Sequence, residues 1–244
     1  MNTYYKILGS FFLALSSLSV QLEFPAFGSE LTSQKSALYP FHNVIELQDD
    51  FLTGGVSSGT LGSLGWFMAG GTNTGVAGEA GAPGIFRKET SAVINTFGAL
   101  LLSGTQTAID AASLHDSLWR ARLNTNDANT AVRIGYSNTC TVNPTNGYYF
   151  EKAAADTNWF AVTNNGGVTT RTDTGIAVDT NFHYFYVVKQ SASVLYSIDS
   201  GAFTTITTNI PATDEQPCAQ ITNTAAANKT IDFDYFQLRI YVSR

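Results

Sequence analysis

The stretch NFHYFYVVKQSASVLYSIDSGAFTTITT, residues 181–208, decides the fold class. It divides into three runs of aromatic and β-branched residues: Phe182–Val188, Val194–Ile198 and Phe203–Thr208. Residues of this kind fit the half-buried pleat of a strand. Asp199-Ser200-Gly201 stands between the second and third runs, and such residues accept the positive φ of a tight turn. Three strand-like runs in under thirty residues, with no helical period between them, read as β structure.

The same grammar extends outward. Leu118–Leu123, Ala131–Tyr136, Gly147–Glu151, Trp159–Val162 and Ile231–Val242 are further strand-like runs. Asn146-Gly147 and Asn165-Gly166-Gly167 are further turn signals. Alternation is clear in Val132, Ile134 and Tyr136. In the last run it puts Ile231, Phe233 and Tyr235 on one face and Asp232, Asp234 and Phe236 on the other. Short strands at ~8–12-residue spacing argue for a sandwich or barrel. Their number fits a jelly roll of about twelve to fifteen strands better than an immunoglobulin domain. The expected fold is all-β, a two-sheet antiparallel jelly-roll sandwich. Residues Gly54–Gly84 are Gly-rich and are expected to hold one strand, Trp66–Ala69, between two loops. Thr107–Leu114 is the one helical candidate.

Composition agrees. Of 244 residues, 44 % are apolar and only 13 % charged. An average soluble domain carries about twice that charge. Long surface helices need Lys and Glu, whereas exposed strand faces take Thr and Ser. The net charge of −6 opposes nucleic acid and anionic membrane surfaces.

Residues 1–28 differ from the rest. Lys6 precedes an apolar run from Ile7 to Val20, shorter than the ~20 residues of a spanning helix. It reads as a signal-peptide core with cleavage after Ala26-Phe27-Gly28, or as an apolar arm that docks in a partner subunit. Residues 29–43 read as a linker and 44–244 as the β domain. Cys140 and Cys218 are the two cysteines. Without CxxC spacing a zinc site is not indicated. Two unpaired thiols are the favoured reading, and one bridge between two loops is the alternative.

Several segments, taken in order, resemble a known family. Asp49-Asp50-Phe51-Leu52 opens the domain and Leu64-Gly65-Trp66 follows. Arg133-Ile134-Gly135 precedes Asn146-Gly147-Tyr148-Tyr149-Phe150-Glu151 and Asn158-Trp159. Asp173-Thr174-Gly175-Ile176-Ala177-Val178, Ile198-Asp199 and Asn209-Ile210-Pro211 come next, and Ile231-Asp232-Phe233-Asp234-Tyr235-Phe236 closes the set. The set, over about residues 45–244, resembles concanavalin A-like lectin/glucanase domains of bacteriophage structural proteins such as head fibres and tail-associated proteins. Tyr5-Lys6-Ile7-Leu8-Gly9 is similar to the start of some phage fibre proteins. The resemblance implies a jelly roll on a virion exterior, contacting host-surface sugars or serving as a structural knob. It also implies homo-oligomers, with a trimer expected, joined to other virion proteins through the N-terminal arm.

The residues argue against catalysis. Retaining glycosidases need carboxylates ~5 Å apart, which glucanases of this fold supply as Glu-x-Asp-x-x-Glu. That segment is absent. Asp232 and Asp234 have i,i+2 spacing but read as a solvent-facing acidic pair. Alginate lyases of the fold carry Gln-x-His, and no Gln lies two residues before His183. His42 is in the linker and His115 in a loop or short helix; each histidine reads as packed or exposed. No Gly-x-Ser-x-Gly elbow, Walker loop or dinucleotide fingerprint appears. The expectation is no enzyme, no cofactor and no metal. Calcium held by Asp49 or Asp50 with Asp234 is the alternative considered.

Sugar binding uses an exposed aromatic face ringed by polar groups. Trp66, Trp119, Tyr148, Tyr149 and Trp159 are the candidates, against core packing for each tryptophan. Alternation should put one of Tyr148 and Tyr149 outward. Asn-rich loops at 124–129 and 164–167 are candidate groove walls. Asn228-Lys229-Thr230 is a glycosylation sequon, relevant in a eukaryotic secretory pathway. The expected function is a virion surface protein. A secreted carbohydrate-binding lectin, and a hydrolase or lyase of the same fold, are the alternatives.

Overall fold

In a computed structural model, residues 43–51, 62, 64–76, 79–82, 84–102, 109–141 and 143–242 are described. They all belong to one compact unit, Phe41–Arg244. Residues 1–42, with the arm or signal segment, most of the linker and His42, lie outside them.

Fifteen strands follow in chain order: β1 Asn43–Asp49, β2 Trp66–Ala69, β3 Thr72–Val76, β4 Ile85–Glu89, β5 Phe97–Leu102, β6 Leu114–Leu123, β7 Thr130–Ser137 and β8 Gly147–Lys152, then β9 Asn158–Asn165, β10 Val168–Ala177, β11 His183–Lys189, β12 Val194–Ile198, β13 Thr204–Ile206, β14 Gln216–Asn223 and β15 Thr230–Val242. One sheet runs β13-β12-β11-β6-β15-β4-β3, with β1 also on β15; the other runs β10-β9-β8-β7-β14-β5-β2. Every pairing is antiparallel. The fold is the expected all-β, two-sheet jelly-roll sandwich.

The core is the space between the sheets. From one side come Trp119, Phe185, Phe233 and Phe236; from the other Ile134, Tyr136, Tyr148, Phe150 and Trp159. Aromatic rings interlock edge to face there, with Trp66 and Phe236 at 4.8 Å and Trp159 and Phe185 at 4.8 Å. Such geometry adds to the burial of large apolar surfaces.

Several expectations change. No helix occurs among the described residues. Thr107 and Ala108 lie outside them, Ile109 bridges Glu215, and Leu114 already begins β6. His115 is therefore on a strand, buried at its start. The Gly-rich stretch contains both β2 and β3. Sequence reading missed β14 because Pro217, Gln216 and Gln220 look unlike a central strand. Pro217 stands near the start of β14, one residue before its pairing with β5 begins, a position near a strand's start where proline is tolerated.

Strict alternation fails in β15. Its register against β6 shifts between Phe233 and Tyr235, a bulge that inserts one residue. Phe233 and Phe236 thus both face the core, and Tyr235 faces out. Asp232 and Asp234 are not an exposed acidic pair, with 0 % and 6 % exposure. Arg87 and Arg122 enclose Asp232, and Arg120 bonds Asp234.

The cysteines are paired, against the favoured reading. Cys140 and Cys218 form a disulfide with Cα atoms 5.8 Å apart. The β7–β8 connection folds back over β14, which brings Cys140 above Cys218. Sequence spacing carries no trace of that fold-back.

Candidate functional site

Each strand of the β10–β2 sheet turns one set of side chains into the core and the alternate set outward. The outward set forms a continuous face. Cross-strand registers align Asp173, Phe160, Glu151, Arg133, Gln220 and Ala99 in one row from β10 to β5. A neighbouring row holds Arg171, Val162, Tyr149, Gly135, Cys218, Leu101 and Phe67. At ~4.8 Å between strands, the seven strands span roughly 29 Å.

One half of this face is charged. Arg133 Nε donates to Glu151 Oε1 at 2.9 Å, and Arg171 Nε to Glu151 Oε2 at 2.8 Å. Arg171 also bonds Asp156 and lies flat over the Phe160 ring, 3.4 Å from its centroid. The other half is apolar: Ala99, Leu101 and the disulfide form a small cluster with Ala69 and Phe97 packed on it. Phe67, at the β2 edge, is 44 % exposed. Where the halves meet is a dimple of about 50 Å³, lined by Ala131, Arg133, Glu151, Ala153, Gln220 and Thr222. That is room for a water-sized polar group or two. Gln220 is buried and donates to the Thr222 hydroxyl at 3.2 Å. The face therefore offers forked donors, a carboxylate, an amide and the exposed phenyl ring of Phe67.

None of the five aromatic residues singled out from sequence presents a ring on this face. Trp66 and Trp119 are 0 % exposed, Trp159 and Tyr148 1 % and Tyr149 4 %. Trp66, Trp119, Tyr148 and Trp159 are core, because alternation turns each inward and they pack across the sandwich. Tyr149 does point out, yet it is covered, with Arg133 5.5 Å from its ring centroid. In two cases the outward ring is the next residue: Phe67 beside Trp66, and Phe160 beside Trp159. Alternation itself was the signal for both, once the covered face of each strand is known. The Asn-rich loops do not share a groove. Residues 124–129 precede β7 and residues 164–167 form the end of β9 and the turn after it; these two strands run in the same direction on either side of β8, so the two segments lie at opposite ends.

The histidines are engaged elsewhere. His183 Nε2 donates to Asp179 at 2.8 Å and Nδ1 to Asp199 at 2.5 Å. Carboxylates only accept, so both ring nitrogens carry protons and the ring is charged. Its pKa is raised, first by the Asp199 bond. His115 is the reverse. Nδ1 faces the Ser113 carbonyl at 2.9 Å and must donate, so Nε2 accepts from the Tyr148 hydroxyl at 2.5 Å. Burial lowers its pKa to about 4. Burial likewise raises Glu215 to about 7.

Asp49 accepts from the backbone of Phe51 and Leu64 and from Trp66 Nε1, at 2.9, 3.0 and 3.2 Å. It fastens the β1 end to β2 rather than joining Asp234. Among the described residues no group of three or more His, Cys, Asp or Glu is arranged to hold a metal.

No protein-family model and no curated protein matches the chain. Solved structures do. A protein of unknown function from Shewanella oneidensis MR-1 is 12 % identical with a TM-score of 0.64, covering 90 % of this chain and 97 % of that one. A Bacillus licheniformis β-glucanase is 15 % identical with a TM-score of 0.54, covering 82 % and 98 %. The CBM2 module of an evolved Dit protein from Lactobacillus casei BL23 phage J-1 is 12 % identical with a TM-score of 0.53, covering 84 % and 99 %. At these identities the likeness is one of fold: the chain shares the jelly-roll sandwich of lectin- and glucanase-like proteins.

Proposed function

We propose that this chain is a non-enzymatic carbohydrate-binding domain whose glycan lies across the outer face of the β10–β2 sheet. One observation carries the reading: exposed Phe67 and the Arg133–Glu151–Arg171 line share one face, and Arg133 and Glu151 also line a polar dimple on it. Apolar ring faces stack on sugar C–H groups while forked donors fix hydroxyls. Both oxygens of Glu151 accept from arginines, which suits a positioning role better than proton transfer. The finer reading is display on a bacteriophage virion, as a head or tail fibre or decoration subunit and a homo-oligomer. It rests on the resemblance of the ordered segments and on the fold shared with a phage module.

The disulfide favours a second reading, a secreted lectin. Bridges form and persist in oxidising compartments, whereas virion proteins of phages assemble in a reducing cytoplasm. Glycan-array binding of the intact protein tests the common core of both. Phe67→Ala and Arg133→Ala should each weaken binding about tenfold or more, with unchanged thermal unfolding for Phe67→Ala. Binding that ignores both substitutions overturns the assignment of this face. Detection of the protein in purified particles, against culture supernatant, separates the two readings.

A further inference from the structure

The β4–β5 connection turns through Ala92-Val93-Ile94, and all three are exposed. Val93 is 64 % and Ile94 53 % exposed. Two branched aliphatic side chains at a loop tip thus leave more than half of their surface outside the chain, where it adds nothing to stability.

The loop is nevertheless held firmly. The side-chain amide of Asn223 donates to the carbonyls of Ser91, Val93 and Ala227, and its oxygen accepts from Thr96 N. Main-chain bonds join Asn95 N to Asn223 O and Asn223 N to Thr96 O, and Ser91 Oγ accepts from Val93 N. Asn223 is fully buried. One asparagine thus fixes the tip and ties it to the neighbouring loop, where Ala226 and Ala227 are also exposed. No charged residue occurs in 90–98 or 222–228. Preorganisation of an exposed apolar group lowers the entropic cost of binding.

We infer that this tip inserts into the interfacial layer of an uncharged, zwitterionic lipid surface. The area argues for it. Two partly exposed aliphatic side chains offer on the order of 200 Å², far below the ~1,200 Å² that a stable protein interface buries. A lipid interface has no such minimum, because affinity there scales with the apolar area inserted. Charge sets the lipid class: an uncharged tip on an acidic chain gains nothing from an anionic leaflet. Ser91, Asn95, Thr96 and Asn228 flank the tip and match the hydrogen-bonding headgroup layer.

The test is fluorescence of the full chain carrying Ile94→Trp with phosphatidylcholine vesicles whose acyl chains are brominated. Trp66, Trp119 and Trp159 are buried and give a constant background. The expected result is a blue shift and quenching of the tip tryptophan, insensitive to salt. Val168→Trp, at an exposed site on the opposite end of the sandwich, should show neither. A Val93→Asn/Ile94→Asn chain should lose tenfold or more of the vesicle binding that the tip provides. Attachment through residues 7–20 would leave the tip tryptophan unquenched, and that result overturns the proposal. So does lipid-free self-association that the double substitution abolishes, because the occupant would then be a second copy.

Discussion

Arg171 reaches from β10 across the ring of Phe160 to bring its Nε within 2.8 Å of Glu151 Oε2 on β8. One carboxylate thereby joins an edge strand to two interior strands, since Arg133 on β7 holds its other oxygen. Glu151→Ala leaves two arginines facing each other without the acid between them. Their side chains are 25 % and 30 % exposed, so the penalty falls short of that for a fully buried pair. A loss of about 1–3 kcal/mol is expected. Urea unfolding of Glu151→Ala against the parent measures it, and an unchanged midpoint would show the network to be decorative.

The disulfide spans 78 residues. Closing a loop of that length is expected to contribute about 2–4 kcal/mol. Cys140→Ser/Cys218→Ser should lower the denaturation midpoint accordingly, and reductant should do the same to the parent. Two titratable thiols in the native, oxidised protein would sink this expectation.

His183 and His115 should pull stability in opposite directions with pH. The folded pKa of His183 is raised. Its contribution is fully present below the unfolded value near 6.5 and is lost as pH rises through the folded value. Asp179 and Asp199, whose pKa values are lowered, contribute above their unfolded values near 3.8 and lose that contribution as pH falls. The triad is therefore most stabilising between about pH 4 and 6.5. For His115, lowered to about 4 by burial, stability is present above 6.5 and falls toward pH 4, by about 3 kcal/mol in total. His183→Gln should lower the urea midpoint more at pH 5 than at pH 8, and His115→Gln more at pH 8 than at pH 5, each relative to the parent at the same pH. Parallel pH trends would contradict the assigned protonation states.

Gly135 occupies the middle of β7 at φ 153°, and a Cβ there would lie 2.6 Å from Tyr148 O and 2.7 Å from Tyr149 Cα. These are backbone atoms of the paired strand, so nothing can rotate away. Gly135→Ala should cost about 3 kcal/mol and disturb the Tyr149 ring beside the dimple. Gly166, at φ 60° with open space around it, should lose only about 1 kcal/mol on the same change. Equal losses at the two sites would show that backbone conformation, not contact, dominates.

The sequence by itself determined the fold class. Alternating apolar runs and turn dipeptides need only local chemistry, and the segments around residues 181–208 formed β11, β12 and β13 close to where they were expected. It also determined that Trp66 and Phe67, or Trp159 and Phe160, must face opposite ways. Which of each pair is covered was decided by tertiary structure, because alternation has no sign until a second sheet packs on one face. The same holds for Asp232 and Asp234, acidic residues on an outer face that become buried only when arginines from β4 and β6 close over them. The bulge near Asp234, the approach of Cys140 to Cys218 and the gathering of Arg133, Glu151 and Arg171 all depend on strand registers between residues far apart in sequence. No local signal encodes those registers, since they follow from how the whole set of apolar faces is buried at once.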